Sequence, residues 1–244
     1  MRKSGQIKAV LFDFGQTLVD SADAFRMAEK DAKDRLFAAL KAEAGGPDWE
    51  AFLPLYRGIR KKFHQKFEFS RPAIWQAVCA RFDQQLDPDL LNQWEQLYWN
   101  QVSSHTHPFP ETVPVLEKLS SQYDLALVSN TQGQKKSGGH RLALFPQIEK
   151  YFKAIVIAGE SGIHPKPHGE PFRLCLQQLN LTPHEAVFVG DDWRIDVGGA
   201  QDAGIQPVWL KHQLVKRNWP DVQSDVPVIT SLRDLFNLPL LKQV

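Results

Sequence analysis

The stretch AVLFDFGQTLVD, residues 9–20, decides the fold. An apolar run ends in one carboxylate, Asp13. A small turn, Gly15-Gln16, follows, and then a hydroxyl, Thr17. A run that stays apolar without alternating suits a strand buried on both faces of a parallel sheet. In such sheets reactive groups gather at the carboxyl ends of strands, which is where Asp13 stands. Four more runs have the same character: DLALVSN (124–130), AIVIAGE (154–160), AVFVGDD (186–192) and PVWL (207–210). Helical patterns separate the later ones, in ETVPVLEKLSSQ, EPFRLCLQQLN and DVGGAQDAG. Strand–helix–strand alternation predicts a doubly wound parallel α/β sheet.

The segment 20–105 breaks this rhythm. Its apolar residues recur at three and four, as in Phe25, Ala28, Ala32, Leu36 and Leu40. Pro47, Pro72 and Pro88 fall at expected helix starts. HTHPFP (105–110) reads as a return linker whose prolines resist helix continuation. The expectation is an all-helical domain over 20–105, inserted into a core made of 1–19 and 106–244.

Composition narrows the function classes. The chain has 244 residues, 43% hydrophobic and 23% charged, enough to bury a core without disulfide or metal staples. A net charge of +1 gives no global attraction to nucleic acid or an anionic membrane. No run approaches the roughly 18 apolar residues of a membrane span, and MRKSGQIKAV lacks the apolar h-region of a signal peptide. Cys79 and Cys175 lie far apart, each in an apolar helical pattern, and read as reduced core residues. A cytoplasmic protein is expected, a monomer or homodimer, with no nucleic-acid or membrane partner.

Four strand ends carry reactive groups. They are Asp13; Ser129-Asn130-Thr131; Lys166, within SGIHPKPHGEPF; and Gly190-Asp191-Asp192 followed by Asp196. A carboxylate can act as nucleophile or as ligand for a hard cation. Several neighbouring acids repel one another unless a cation or a lysine joins them. A divalent metal together with Lys166 would balance that charge. A serine hydroxyl and backbone N–H groups would hold phosphoryl oxygens, so the assembly suits in-line displacement at phosphorus. Taken singly, each motif reads as a turn or a cap; their order and spacing argue for a site.

The constellation resembles the haloacid dehalogenase-like (HAD) hydrolase superfamily over residues 7–20 and about 106–215. DFGQTL stands where that family has D-x-D-G-T-[LV]. VSN matches its serine/threonine motif and Lys166 its lysine motif. VGDDWRIDVGGAQDAG matches its acidic motif G-D-x-x-x-x-D. The resemblance implies a Rossmann-type core with an α-helical type 1 cap. It implies a Mg²⁺-dependent phosphatase of small phosphorylated metabolites, working through an aspartyl-phosphate. Carried over, Asp13 is nucleophile and Mg²⁺ ligand, Gly15 offers its carbonyl to the metal, and Asp191 is a further ligand. Ser129, Asn130, Thr17 and Lys166 hold the phosphoryl group, with Ser129 and Lys166 also catalytic. Asp192 or Asp196 supports the metal shell or orients Lys166.

The departure is Gly15, where most phosphatases of this family carry a second Asp as general acid–base. Four readings follow. The first is a phosphatase whose acid comes from Asp20, the cap or the substrate. The second is a 2-haloacid dehalogenase, since halide leaves without a proton. The third is a phosphonate hydrolase using a cap lysine, with Lys30, Lys33 and Lys41 as candidates. The fourth is a weakly catalytic or non-catalytic binding protein on the same scaffold. His164 and His168, flanking Lys166, are candidate substitutes for the acid. RGIRKKFHQKF (57–67) holds five cations, either a solvated helix face or recognition of a second anionic group on the substrate. TQGQKKSGGHR (131–141) is a polar loop, a connector or a mobile element near the site. Trp75, Trp94 and Trp99 are expected in the cap core or at the cap–core interface, and Trp193 near the metal.

Overall fold

The computed structural model describes residues 6–43, 45–134 and 140–242. In chain order the elements are β1 (Ala9–Phe12), β2 (Val19–Asp20), α1 (Ala22–Ala42), α2 (Trp49–Gln65), α3 (Arg71–Cys79), α4 (Pro88–Ser104), β3 (His107–Pro108), α5 (Thr112–Ser120), β4 (Asp124–Asn130), α6 (Pro146–Glu149), β5 (Phe152–Ala158), α7 (Glu170–Leu179), β6 (Ala186–Gly190), α8 (Gly198–Asp202), β7 (Gln206–Leu210) and β8 (Val228–Ile229). They group into two compact units. One is Met1–Ala22, His107–Thr131 and Arg141–Val244; the other is Asp23–Thr106 with Gln132–His140.

The first unit is built on a six-stranded sheet in the order β5-β4-β1-β6-β7-β8, parallel throughout. The continuous apolar runs follow from burial on both faces. Val10, Phe12, Leu125, Leu127, Val187 and Val189 enter one cluster. Their sequence neighbours Ala9, Leu11, Ala126, Val128, Ala186 and Phe188 enter the opposite one. β1 is central, with Phe12 in register with Leu127 of β4 and Val189 of β6. The ends of all three strands therefore open together, and the Asp13 N–H donates to the Val189 carbonyl at 2.9 Å. A short antiparallel ribbon of β2 and β3 follows the Asp13 turn. Thr112 Oγ1 fixes it by donating to the Leu18 carbonyl at 2.7 Å.

The structure differs from the sequence expectation in detail. β5 runs from Phe152 to Ala158, two residues earlier than AIVIAGE suggests. DVGGAQDAG is no simple helix: a π-helical turn, Trp193–Val197, precedes the short α8. β8 and the β2–β3 ribbon, each strand two residues long, offer no run to detect.

The second unit is helical. Ala28, Ala32, Leu36 and Leu40 of α1 enter its core with Phe52, Tyr56, Trp75 and Trp99, and Trp94 packs against them. Side chains of Asp48, Ser70 and Asp87 cap α2, α3 and α4, supplying acceptors to otherwise orphaned N–H groups. Arg57, Lys61, Lys62 and Lys66 are exposed, as a solvated face requires. Residues 132–134 and 140 group with this unit, whereas the sequence reading put everything after 105 in the core. Arg71 explains the difference. Its guanidinium donates to the carbonyls of Phe69, at 2.8 Å, and of Gln132, and it lies over the Tyr98 and Trp99 rings. Residues 135–139 of the polar loop lie outside the described residues. Among the described residues, no helix is long and apolar enough to cross a membrane.

Candidate active site

Three buried carboxylates converge at the strand ends. Oxygens of Asp13, Asp191 and Asp196 all lie within 4.8 Å of one another. Asp13 follows β1, Asp191 follows β6, and Asp196 is returned to the same point by the π-helical turn. Gly190 makes that return possible: a Cβ there would sit 2.5 Å from Asp196 Cβ. Three like charges taken out of water are costly unless paired. Lys166, itself 1% exposed, meets the need. Its Nζ donates to Asp13 Oδ1 at 2.7 Å and to Asp196 Oδ1 at 2.6 Å.

The electrostatics follow from this crowding. Burial alone would lower the Lys166 pKa, but Asp13 and Asp196 outweigh it and raise the value. The ammonium therefore stays charged across the physiological range. Burial drives the Asp191 carboxyl well above the ordinary range, with Asp196 and Asp13 adding to the rise and Arg217 opposing it. Asp196 is also raised, by burial first, with Lys166 pulling against the rise. A site with this much unresolved negative charge is suited to a cation.

Arg217 was not singled out in the sequence. Its Nη1 meets Asp191 Oδ2 at 2.5 Å, with Nη2 3.8 Å from Asp192 Oδ2, and the guanidinium lies over Trp219. Trp209 was missed too: its indole N–H donates to the Asp191 carbonyl at 2.9 Å. Trp193 packs on Trp209, ring centroids 4.8 Å apart, and so belongs to the aromatic wall behind the acidic motif.

The remaining expected site residues have the following surroundings. Asn130, expected to hold phosphate, is committed elsewhere. Its Oδ1 accepts from the Lys166 N–H at 2.8 Å and its Nδ2 donates to the Lys166 carbonyl at 3.1 Å. It positions the lysine backbone. Thr17, also expected to hold phosphate, is fully buried, and its hydroxyl has no hydrogen-bond partner among the described residues. Asp192 caps the π-helical turn by accepting from the N–H groups of Arg194 and Ile195, so of the two supporting acids it is Asp196 that orients Lys166. Ser129 is buried at the end of β4.

Gly15 joins Val19 in an isolated bridge. The bridge uses the Phe14 carbonyl and the Gln16 N–H and leaves the Gly15 carbonyl out. Gln16, not Gly15, has the left-handed backbone, with φ 60°. With its amide oxygen turned toward the donors, Gln16 accepts from the N–H groups of Ser21 and Ala22 at 2.9 Å each. The space beside Gly15 holds Arg141, a buried cation over the Phe14 ring.

Comparison with known proteins agrees with this geometry. The chain is 27% identical over 221 residues to a glyceraldehyde 3-phosphate phosphatase of Methanopyrus kandleri, covering 91% of each. A solved 2-haloacid dehalogenase of Pseudomonas syringae pv. Tomato is 26% identical, with a TM-score of 0.65 over 95% of this chain and 97% of that one. A HAD-hydrolase of Bacillus subtilis, YfnB, solved with magnesium bound, shares the fold at 18% identity. Its TM-score is 0.65, over 98% of this chain and 100% of that one. The family model for haloacid dehalogenase-like hydrolase matches residues 7–204, and the chain belongs to that family of hydrolases.

Proposed function

We propose that the chain is a Mg²⁺-dependent phosphatase of a small phosphorylated metabolite, with Asp13 as nucleophile. The observation that carries this is the buried Lys166 ammonium, shared between Asp13 and Asp196 inside a cluster of three carboxylates. A lysine so placed holds one Asp13 oxygen in line and offers positive charge to phosphoryl oxygens. The phosphatase relative supports a phosphate ester as substrate. The free, buried Cys79 and Cys175 accord with a cytoplasmic setting.

The residues fit a hard cation, because all the donors are oxygens and the carboxylates outnumber the nearby cationic groups. Asp13, Asp191 and the Gly15 carbonyl would hold Mg²⁺. When bound, it supplies charge neutralisation to the transferring phosphoryl group. Asp13 attacks phosphorus; the P–O ester bond breaks, and the leaving oxygen departs with the bonding pair and takes its proton from solvent, since Gly15 offers none. Water then attacks the phosphoryl group, releasing phosphate and restoring Asp13. Ser129 would hold a phosphoryl oxygen, and Asn130 would act through Lys166. The helical unit is the candidate cap domain, and the cations of residues 57–67 are candidates for recognising a second anionic group on the substrate.

Gly15 favours leaving groups that need little protonation. A 2-haloacid dehalogenase is the second reading, motivated by the same glycine and by the Pseudomonas relative. A panel of aryl, alkyl and acyl phosphates, run beside 2-haloacids with and without Mg²⁺, separates the two. Phosphate release that needs Mg²⁺ and vanishes in Asp13→Asn is expected. Halide release without metal, and no phosphate release, would replace the proposal with the second reading.

A further inference from the structure

We propose that His164, His168 and Glu170 form a second metal site, on the surface, for a divalent transition cation such as Zn²⁺. It is separate from the Asp13–Asp191 centre and does not rest on the phosphatase reading.

All three donors come from one short segment, HPKPHGE, residues 164–170. One donor atom from each lies within 4.8 Å of the other two. The imidazoles are already stacked, with centroids 4.3 Å apart and planes at 27°. Glu170 Oε2 accepts from the His164 N–H at 2.8 Å and lies 2.6 Å from His164 Nδ1. The Glu170 N–H reaches back to His168 Nδ1 at 3.2 Å. The carboxylate is thus tied to His164, and the Glu170 backbone to His168, before any ion arrives. Pro165 and Pro167 fix φ on either side of Lys166, which lowers the entropy of bringing the donors together.

The donor set selects the ion. Imidazole nitrogen suits Zn²⁺, Ni²⁺, Co²⁺ and Cu²⁺, whereas Mg²⁺ takes oxygen. Two imidazoles and a carboxylate are a recurrent zinc set, the fourth position falling to water. Donors at about 2.1 Å from a tetrahedral ion stand roughly 3.4 Å apart, so the His164–Glu170 pair, now 2.6 Å apart, opens slightly to admit the ion, and the other donors already lie within 4.8 Å. His164 and His168 are exposed and Glu170 half-buried, so side-chain rotation suffices and water can reach the ion. Lys166 does not compete, because its side chain points inward to Asp13 and Asp196. The partial positive charge at the start of α7 opposes a cation, and Glu170, the first residue of that helix, offsets it.

The test uses the untagged full chain in saturating Mg²⁺. Zn²⁺ is titrated by calorimetry, and Co²⁺ by its visible absorption. One equivalent is expected in the wild type and also in Asp191→Asn, which cripples the buried centre but not this one. Losing an outer-shell partner costs a metal site roughly 10–100-fold, so His168→Ala and Glu170→Gln should each lose at least that much, with unchanged thermal unfolding. No uptake by the wild type would overturn the proposal. So would uptake that is lost in Asp191→Asn and kept in His168→Ala.

Discussion

At residue 15 a side chain is missing but the room for one is not. Among the described residues, a Cβ on Gly15 would meet Arg141 Nη2 at 3.7 Å and Ser21 Oγ at 3.9 Å, both ordinary contacts. The left-handed conformation falls on Gln16, where a non-glycine residue costs about 1–2 kcal/mol and the side-chain bonds to Ser21 and Ala22 offset part of it. Gly15→Asp should therefore fold. It should raise turnover of alkyl phosphates more than aryl phosphates, since a strongly basic leaving oxygen depends most on an acid. General acid–base catalysis is worth roughly 10²–10⁴. The gain should fall short of the upper end, because the Arg141 guanidinium beside the new carboxylate favours its ionised form. Steady-state kcat on matched alkyl and aryl esters decides this. No gain on any ester, with a fast parent, would mean that another group already delivers the proton.

The elements show which parts of the fold could be read in advance. β4 was legible to the residue, because a seven-residue strand buried on both faces leaves a continuous apolar run. α1 was legible because its buried residues recur at helical spacing. The π-helical turn was not, since its distinction from an α-helix rests on backbone bonds five residues apart, from the Val197 N–H to the Asp192 carbonyl and the Gly198 N–H to the Trp193 carbonyl, and not on any apolar period. In α2, His64 lies against Phe69, ring centroids 5.1 Å apart. Burial, reinforced by Arg60 and Arg71, lowers its pKa to about 4, against about 6.5 for a free histidine. The unfolded chain then binds the proton more readily than the folded one. Stability is full above about pH 6.5 and is lost as pH falls toward 4. Urea unfolding of wild type and His64→Gln across that window should show a steeper loss in the wild type. Parallel slopes would remove His64 as the cause.

Over the whole molecule, the candidate site is a balance of charge gathered from distant parts of the chain. Asp13, Lys166, Asp191 and Asp196 were visible in the sequence because each ends a strand or follows one at a family spacing. Arg217 was not, because it lies in the irregular stretch between β7 and β8, where no period marks a side chain that folds back on Asp191. Its guanidinium occupies the same carboxylate that a metal would use. Arg217→Ala should bind Mg²⁺ about fivefold or more tightly, the equivalent of removing ~1 kcal/mol of like-charge repulsion and competition. Asp191→Asn should weaken binding strongly, and calorimetric titration of both variants checks the pair. An unchanged affinity in Asp191→Asn would take Asp191 out of the metal site. The central claim is that Asp13 carries the phosphoryl group, and rapid-quench trapping tests it most directly. The enzyme is mixed with an aryl phosphate and Mg²⁺, quenched in acid within a turnover, and its peptides are mapped by mass spectrometry. A phosphoryl group on Asp13, absent from Asp13→Asn and from Mg²⁺-free samples, is the predicted result. Turnover of the ester with Asp13 unmodified, or undiminished in Asp13→Asn, would contradict it.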